Sequence, residues 1–164
     1  MPPSFVAKAL LFDQLTEQSE FLTEGKAPNI SILLTEEELK SSVLKELEAL
    51  FNTRSSLTSS EMDQLIAENK DETLLAGIEG FMGLPSMPNV FSEGALEWFA
   101  FQEKCALMIR LYEPRLADPS VVVTAFDRNQ QCLQFRIQAS LVMHDRRENV
   151  AFELAVRTNA SGAQ

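Results

Sequence analysis

The stretch Leu111-Tyr112-Glu113-Pro114-Arg115-Leu116 divides this chain into a helical part before it and a strand part after it. A proline there is a physical stop. Its ring clashes with a continuing helix and pushes Glu113 out of the α region. Glu113 and Arg115 then stand two apart on extended backbone, so both side chains can leave on the same side. Opposite charges flanking a proline at such a corner are either a local clamp or a docking point.

Before the corner the apolar period is helical. Ser92 is a candidate N-cap and Glu93 begins a long helix that runs to Tyr112. Ala95, Leu96, Trp98, Phe99, Phe101, Cys105, Leu107, Met108, Ile109, Leu111 and Tyr112 span more than one stripe of it. A helix so patterned is buried on two sides, one against its own sheet and the other against an earlier helix or another chain. After the corner the period is two. Val121 to Phe126 reads as a strand, and Asp127-Arg128-Asn129-Gln130 as a turn. From Cys132 to Met143 the apolar Leu133, Phe135, Ile137, Ala139, Leu141 and Met143 alternate with Gln134, Arg136, Gln138 and Ser140. His144 to Asn149 reads as a polar turn, and Val150, Phe152, Leu154 and Val156 as a third strand. The tail from Thr158 is small and polar. Helices followed by a strand meander predict an α+β fold of two layers, with N-terminal helices packed on one face of a three-stranded antiparallel sheet.

Further upstream, Thr35 followed by Glu36, Glu37 and Glu38 is a capping box with acids at the positive end of a helix. Leu39, Val43, Leu44, Leu47, Leu50 and Phe51 then recur at helical spacing, and Asn52-Thr53-Arg54-Ser55-Ser56 ends the run. The three glutamates read as a first helical turn rather than as a metal site. A short helix restarts after Ser59 or Ser60 and covers Met62, Leu65 and Ile66. Asn69 to Glu72 is a polar turn, and Thr73 to Phe81 one more helical piece weakened by Gly77 and Gly80. Gly83 to Asn89 is a loop lying against the body. Phe5 to Leu15 is a short amphipathic stretch, with Phe5, Val6, Ala9, Leu10 and Phe12 as its stripe and Ser4 as its cap. It is too short to stand alone and is expected to dock as a helix. Ile30, Ile32, Leu33 and Leu34 form an extended segment or a staple. The expected division is 1–34 as docking helix and linker, 35–157 as the α+β domain, and 158–164 as a flexible tail.

Composition narrows the function. The 164 residues carry a net charge of −10, which argues against nucleic acid and against an anionic membrane surface. Residues 1–110 hold 18 acids and 8 bases, whereas residues 111–164 hold 6 of each, so the excess acid lies on the helical part. Cys105 and Cys132 lack a CxxC spacing and read as buried free thiols of a reducing, cytoplasmic compartment. No apolar run reaches the length of a membrane span. The single histidine, His144, falls in a turn. No nucleophile elbow, zinc-protease or phosphate-loop motif occurs, and no cofactor is expected. A Glu113-based hydrolase would need a second facing carboxyl and a protonated acid, and Arg115 favours the opposite charge state. Binding fits better, through a sheet with open edges and through the broad apolar helix that carries Trp98.

The order of motifs resembles a known family. Glu113-Pro114-Arg115 between a long helix and a strand meander is similar to the signature of the contractile-tail baseplate wedge family. Its members include a wedge subunit of contractile phage tails and TssE of the type VI secretion baseplate. Leu50-Phe51-Asn52-Thr53-Arg54 resembles the family's helix end, Gly83-Leu84-Pro85 its Gly-Leu-Pro loop, and Leu11-Phe12-Asp13-Gln14-Leu15 the leading segment of many type VI members. The resemblance covers roughly residues 36–157. The connection from Arg54 to Gly83 is longer than the family's, and the loop lacks the usual aspartate after Leu-Pro. The resemblance implies a structural, non-enzymatic subunit that presents a sheath-like sheet, from which the contractile sheath starts to polymerise. Its implied partners are other wedge subunits (TssF-, TssG- and TssK-like) and sheath proteins (TssB- and TssC-like). The implied contacts come from Glu113, Pro114 and Arg115, from Asn52, Thr53 and Arg54, and from Leu84 and Pro85. An anti-adapter that binds a protease adaptor, also carrying Glu-Pro-Arg, is the alternative reading. A cell-wall hydrolase, the family's older label, is the remote one.

Overall fold

The computed structural model describes residues 5–8, 33–87, 95–144 and 146–157. In chain order these give β1 (Phe5–Lys8), β2 (Leu33–Thr35), α1 (Glu36–Asn52), α2 (Ser59–Glu68), a 3-10 helix (Glu72–Gly77), α3 (Ala95–Tyr112), β3 (Leu116–Asp127), β4 (Cys132–Val142) and β5 (Arg147–Arg157). The strands after the corner form one antiparallel sheet in the order β3-β4-β5. Helices cover its apolar face, so the chain is a two-layer α+β fold.

The helix starts follow from local chemistry. Thr35 accepts the Glu38 N–H, while the Glu38 carboxylate accepts the Thr35 N–H at 2.7 Å. The Thr35 backbone N–H, and after it the Thr35 hydroxyl, donate to the Glu38 carboxylate and hold it below the ordinary glutamate range. Thr58 and Glu61 make the same reciprocal pair at the start of α2. Asp71 caps the 3-10 helix through the Thr73 N–H and hydroxyl. The piece expected over 73–81 is therefore shorter and tighter than an α-helix, and it closes at Gly77.

Two apolar clusters fill the interior. The larger joins Leu39, Val43, Leu47 and Phe51 of α1 to Phe101, Cys105 and Ile109 of α3, and to the core faces of β4 and β5. Phe135 lies at its centre, with ring centroids 5.5 Å from Phe51 and 6.2 Å from Phe101. The smaller sets Leu107 and Met108 of α3 against Leu50, Met62, Leu75 and Phe81. The second buried side of α3 is thus met by α2 and the 3-10 helix of the same chain. That cover reaches only the C-terminal half of α3, and Leu96 and Phe99 stay exposed.

The sheet differs from expectation at its margins. β3 begins at Leu116 rather than Val121, because register shifts at Ala117/Ser120 absorb Pro119. β5 begins at Arg147, so Arg147, Glu148 and Asn149 pair with Val142, Leu141 and Ser140 instead of lying in the turn. Their polarity belongs to a strand at the sheet's margin, not to a loop. The β3–β4 turn is as read, with Asp127 accepting the N–H groups of Asn129 and Gln130. Phe5–Lys8 corrects the expected N-terminal helix. It is a strand, antiparallel to Leu33–Thr35. The extended segment Leu33–Thr35 beside it supplies backbone hydrogen-bond partners that an isolated short helix lacks. The remainder of the expected docking helix and the Ser92 cap lie outside the described residues.

Candidate functional site

At the corner, α3 closes with the Glu113 N–H on the Ile109 carbonyl at 2.8 Å. Pro114 is exposed at the tip of the turn, and the Leu116 N–H returns to the Glu113 carbonyl. The Glu113 side chain turns inward and is 2% exposed. Arg115 meets it with a planar fork, Nε to Oε1 at 2.7 Å and Nη2 to Oε2 at 2.6 Å. The Arg115 backbone N–H adds a third bond to Oε1. Arg115 Nη1 donates to Ser42 Oγ of α1 at 2.9 Å, and the Arg115 carbonyl accepts from Val142 of β4. Of the two readings left open by the sequence, the geometry is that of a clamp. It locks the end of α3, the start of β3, the end of β4 and the middle of α1 together. Arg115 bonds both oxygens of Glu113.

The helix-end motif and the Gly-Leu-Pro loop meet each other instead. The Leu84 N–H donates to the Thr53 carbonyl at 2.7 Å, and the Ser55 N–H to the Leu84 carbonyl at 3.2 Å. Arg54 and Leu84 form a parallel bridge. Gly83 makes this approach possible. Its φ is +118°, and an added Cβ would lie 2.7 Å from the Thr53 carbonyl oxygen. Leu84 and Pro85 are buried, while Asn52, Thr53 and Arg54 are exposed. This second clamp is distant from the first, since Ser42 and Asn52 are separated by about 15 Å of helix. Trp98 is half-buried and packs edge-on against Phe101 at 5.9 Å. The predicted contact residues thus form two internal clamps and one packed aromatic, and they do not converge on one pocket.

Other polar residues that position the layers carried no motif. Lys104 of α3 is buried and reaches Asp63 at 2.8 Å and Ser59 at 2.7 Å, which fixes the start of α2 on α3. A lysine inside an apolar helical run was its only signal. Lys40 bridges Glu36 and Glu148, and Arg146 reaches Glu36, so the N-terminus of α1 is tied to β5 and its turn. Hydrogen bonding to Lys40 leads the causes that lower the Glu36 carboxyl, and hydrogen bonding to Glu148 leads those that raise Lys40. Burial pushes the Cys105 thiol far up, away from nucleophilic reactivity. Among the described residues no group of three or more His, Cys, Asp or Glu is placed to hold a metal ion. No helix among them is long and apolar enough to cross a membrane.

Residues 37–146 match the family of baseplate wedge protein gp25, a span that includes both clamps and covers about two thirds of the chain. No individual curated protein gives a significant match. The matched span opens in α1 and runs through the corner to the turn before β5, and on that basis this chain belongs to the baseplate wedge protein gp25 family.

Proposed function

We propose that this chain is the baseplate wedge subunit of a type VI secretion-like contractile machine. It docks on TssF-, TssG- and TssK-like wedge proteins and offers its sheet to TssB- and TssC-like sheath proteins as the first layer of the sheath. It works as a non-enzymatic cytoplasmic scaffold. Residues 35–157 form the assembling domain, 1–34 an added docking segment, and 158–164 a tail. One observation carries this reading: the matched family's corner is built here as a clamp that holds a three-stranded sheet at a set angle to its helices. The Asn-Thr-Arg and Leu-Phe-Asp segments support the type VI branch. The Glu-Pro-Arg corner contributes by fixing that angle, with Pro114 as its exposed member. Acid on the helical layer favours a basic neighbour on that side.

The test is affinity capture of the tagged chain from cells that assemble the machine, paired with imaging of sheath fibres in a deletion strain. Wedge and sheath proteins should be recovered together, and fibres should vanish on deletion and return with the wild-type chain. Recovery of a proteolysis adaptor without wedge or sheath proteins would replace this reading with the anti-adapter. Normal fibres in the deletion strain would end it.

A further inference from the structure

The solvent face of the sheet is not flat. Ser120, Gln138 and Ala151 lie opposite one another across β3, β4 and β5, and Ser140 and Asn149 form the next pair along β4 and β5. By alternation with the buried Ile137, Ala139 and Leu141, these side chains leave on the side away from the helices. The rows on either side carry longer groups. On one side stand Val122, Arg136 and Glu153, with Arg136 Nε on Glu153 Oε1 at 2.7 Å. On the other stand Val142 and Arg147. Small residues between long ones leave an open trough of about 440 Å³, within the range of about 300–1,000 Å³ that holds small ligands.

The β3 end of the trough has its own backbone. The register shifts between Ala117 and Ser120, so Asp118 and Pro119 have no partner on β4. Asp118 takes a left-handed φ of 51°. Aspartate is one of the few residues that visit this region, and a bulge re-aims the side chain it carries. Asp118 is exposed, and among the described residues none pairs with its carboxylate. It supplies the only formal charge in the lining. The other polar groups there are two hydroxyls and two amides, of which Ser140 Oγ donates to Asn149 Oδ1 at 3.1 Å. Ser120 and Gln138 have acceptor oxygens to offer a ligand.

A ligand for this lining is cationic, because the one charge is negative, and rich in donors, because oxygens surround it. A guanidinium meets both demands. It is always charged, carries five N–H donors and no acceptor, and forks onto a carboxylate, whereas an ammonium donates from a point. Arg147 stands on β5, two strands or about 10 Å of backbone spacing from Asp118, so the cation seats at the β3 end. No cation lines the trough to receive the carboxylate of free arginine, and an arginine within a chain has none to place.

We propose that this trough binds the guanidinium of an arginine side chain presented by another protein, with Asp118 as its counter-ion. The site stands apart from the assembly reading above, since it needs only the solvent face of the sheet.

Two-dimensional amide NMR of the full chain, titrated with acetyl-arginine methylamide, tests this. The backbone amides of Asp118, Ser120 and Ala151 and the side-chain amides of Gln138 and Asn149 should move together, with one dissociation constant in the millimolar range. The citrulline analogue, neutral and of the same shape, and the lysine analogue should each bind at least about tenfold more weakly. Free L-arginine should bind more weakly than the capped form. Asp118→Asn keeps a residue that tolerates the left-handed φ, so it should preserve the remaining spectrum and lose at least about tenfold in affinity. Ala151→Leu fills the trough from β5 at an exposed position and should weaken binding as far. Unmoved resonances at tens of millimolar, equal binding of the citrulline or lysine analogue, or wild-type affinity in Asp118→Asn would overturn the site. Tighter binding of free L-arginine than of the capped form would overturn the protein source and make the amino acid the ligand.

Discussion

Arg115→Ala is the sharpest perturbation of this structure. The side chain is 10% exposed and its partner Glu113 is 2% exposed, so the substitution strands a carboxylate inside the protein. It deletes the fork at 2.7 and 2.6 Å and the bond to Ser42, leaving Glu113 with only the Arg115 backbone N–H. Removing one partner of a buried pair costs about 3–5 kcal/mol. The expected loss of unfolding free energy is of that size, a large fraction of the roughly 5–15 kcal/mol that holds a typical domain together. The paired change Glu113→Leu with Arg115→Met removes both charges and keeps the volume. It orphans the Arg115 backbone N–H, at a cost of about 1–2 kcal/mol. The double variant should therefore be more stable than the single one. Urea unfolding followed by circular dichroism and by fluorescence of Trp98, the sole tryptophan, measures both. An Arg115→Ala protein within about 1 kcal/mol of wild type would refute the clamp, because a stranded internal carboxylate cannot be so cheap.

Further outcomes follow from the geometry elsewhere in the chain. Gly83→Ala places a methyl group 2.7 Å from the Thr53 carbonyl oxygen at a φ of +118°, and should lower stability by at least about 2 kcal/mol in urea. Gly77→Ala, with open space around it, should not destabilise. The Glu38 carboxyl is held down by the Thr35 N–H and hydroxyl, so its contribution to stability is present above the ordinary glutamate value of 4.5 and lost as pH falls through the folded value. Glu38→Gln removes the titrating group and should accordingly weaken the acid-side slope of thermal stability between about pH 5 and 3, and an unchanged slope would remove Glu38 from the account.

Much of this fold could be read from local chemistry. The capping box at Thr35, the period of two from Cys132 and the stop at Pro114 each express a short-range constraint, and each sits where its pattern placed it. What escaped was tertiary. The full lengths of β3 and β5 depend on what β4 offers opposite them, and polar residues at a sheet margin resemble a turn until their partner is known. Phe5–Lys8 has apolar spacing compatible with a helix and is a strand because Leu33–Thr35 lies beside it. Within the candidate site, the pairing of Glu113 with Arg115 was legible as one of two options, but Ser42 was not. A serine on the flank of α1 carries no pattern until the corner folds against it. Lys104 carried no more signal than a lysine in an apolar run, and its partners 41 and 45 residues earlier were invisible.

The clamp changes how the tripeptide's place in assembly must be argued. Glu113 is almost wholly enclosed, and its oxygens are filled from within the chain. A partner cannot reach that carboxylate without first dismantling the corner. Arg115 spends its Nε and one N–H on each Nη inside the chain, so it keeps two of its five donors, on a side chain only 10% exposed. On the proposed assembly reading the tripeptide therefore acts at one remove, by setting how α3 and the sheet diverge from Pro114. The surfaces that diverge are the ones with free valence: the exposed Leu96 and Phe99 at the start of α3, and the outward backbone of β5. A variant that breaks the clamp perturbs both surfaces together and cannot say which one a neighbour needs. Substitutions confined to either surface, with Glu113, Arg115 and Ser42 left intact, separate docking from folding.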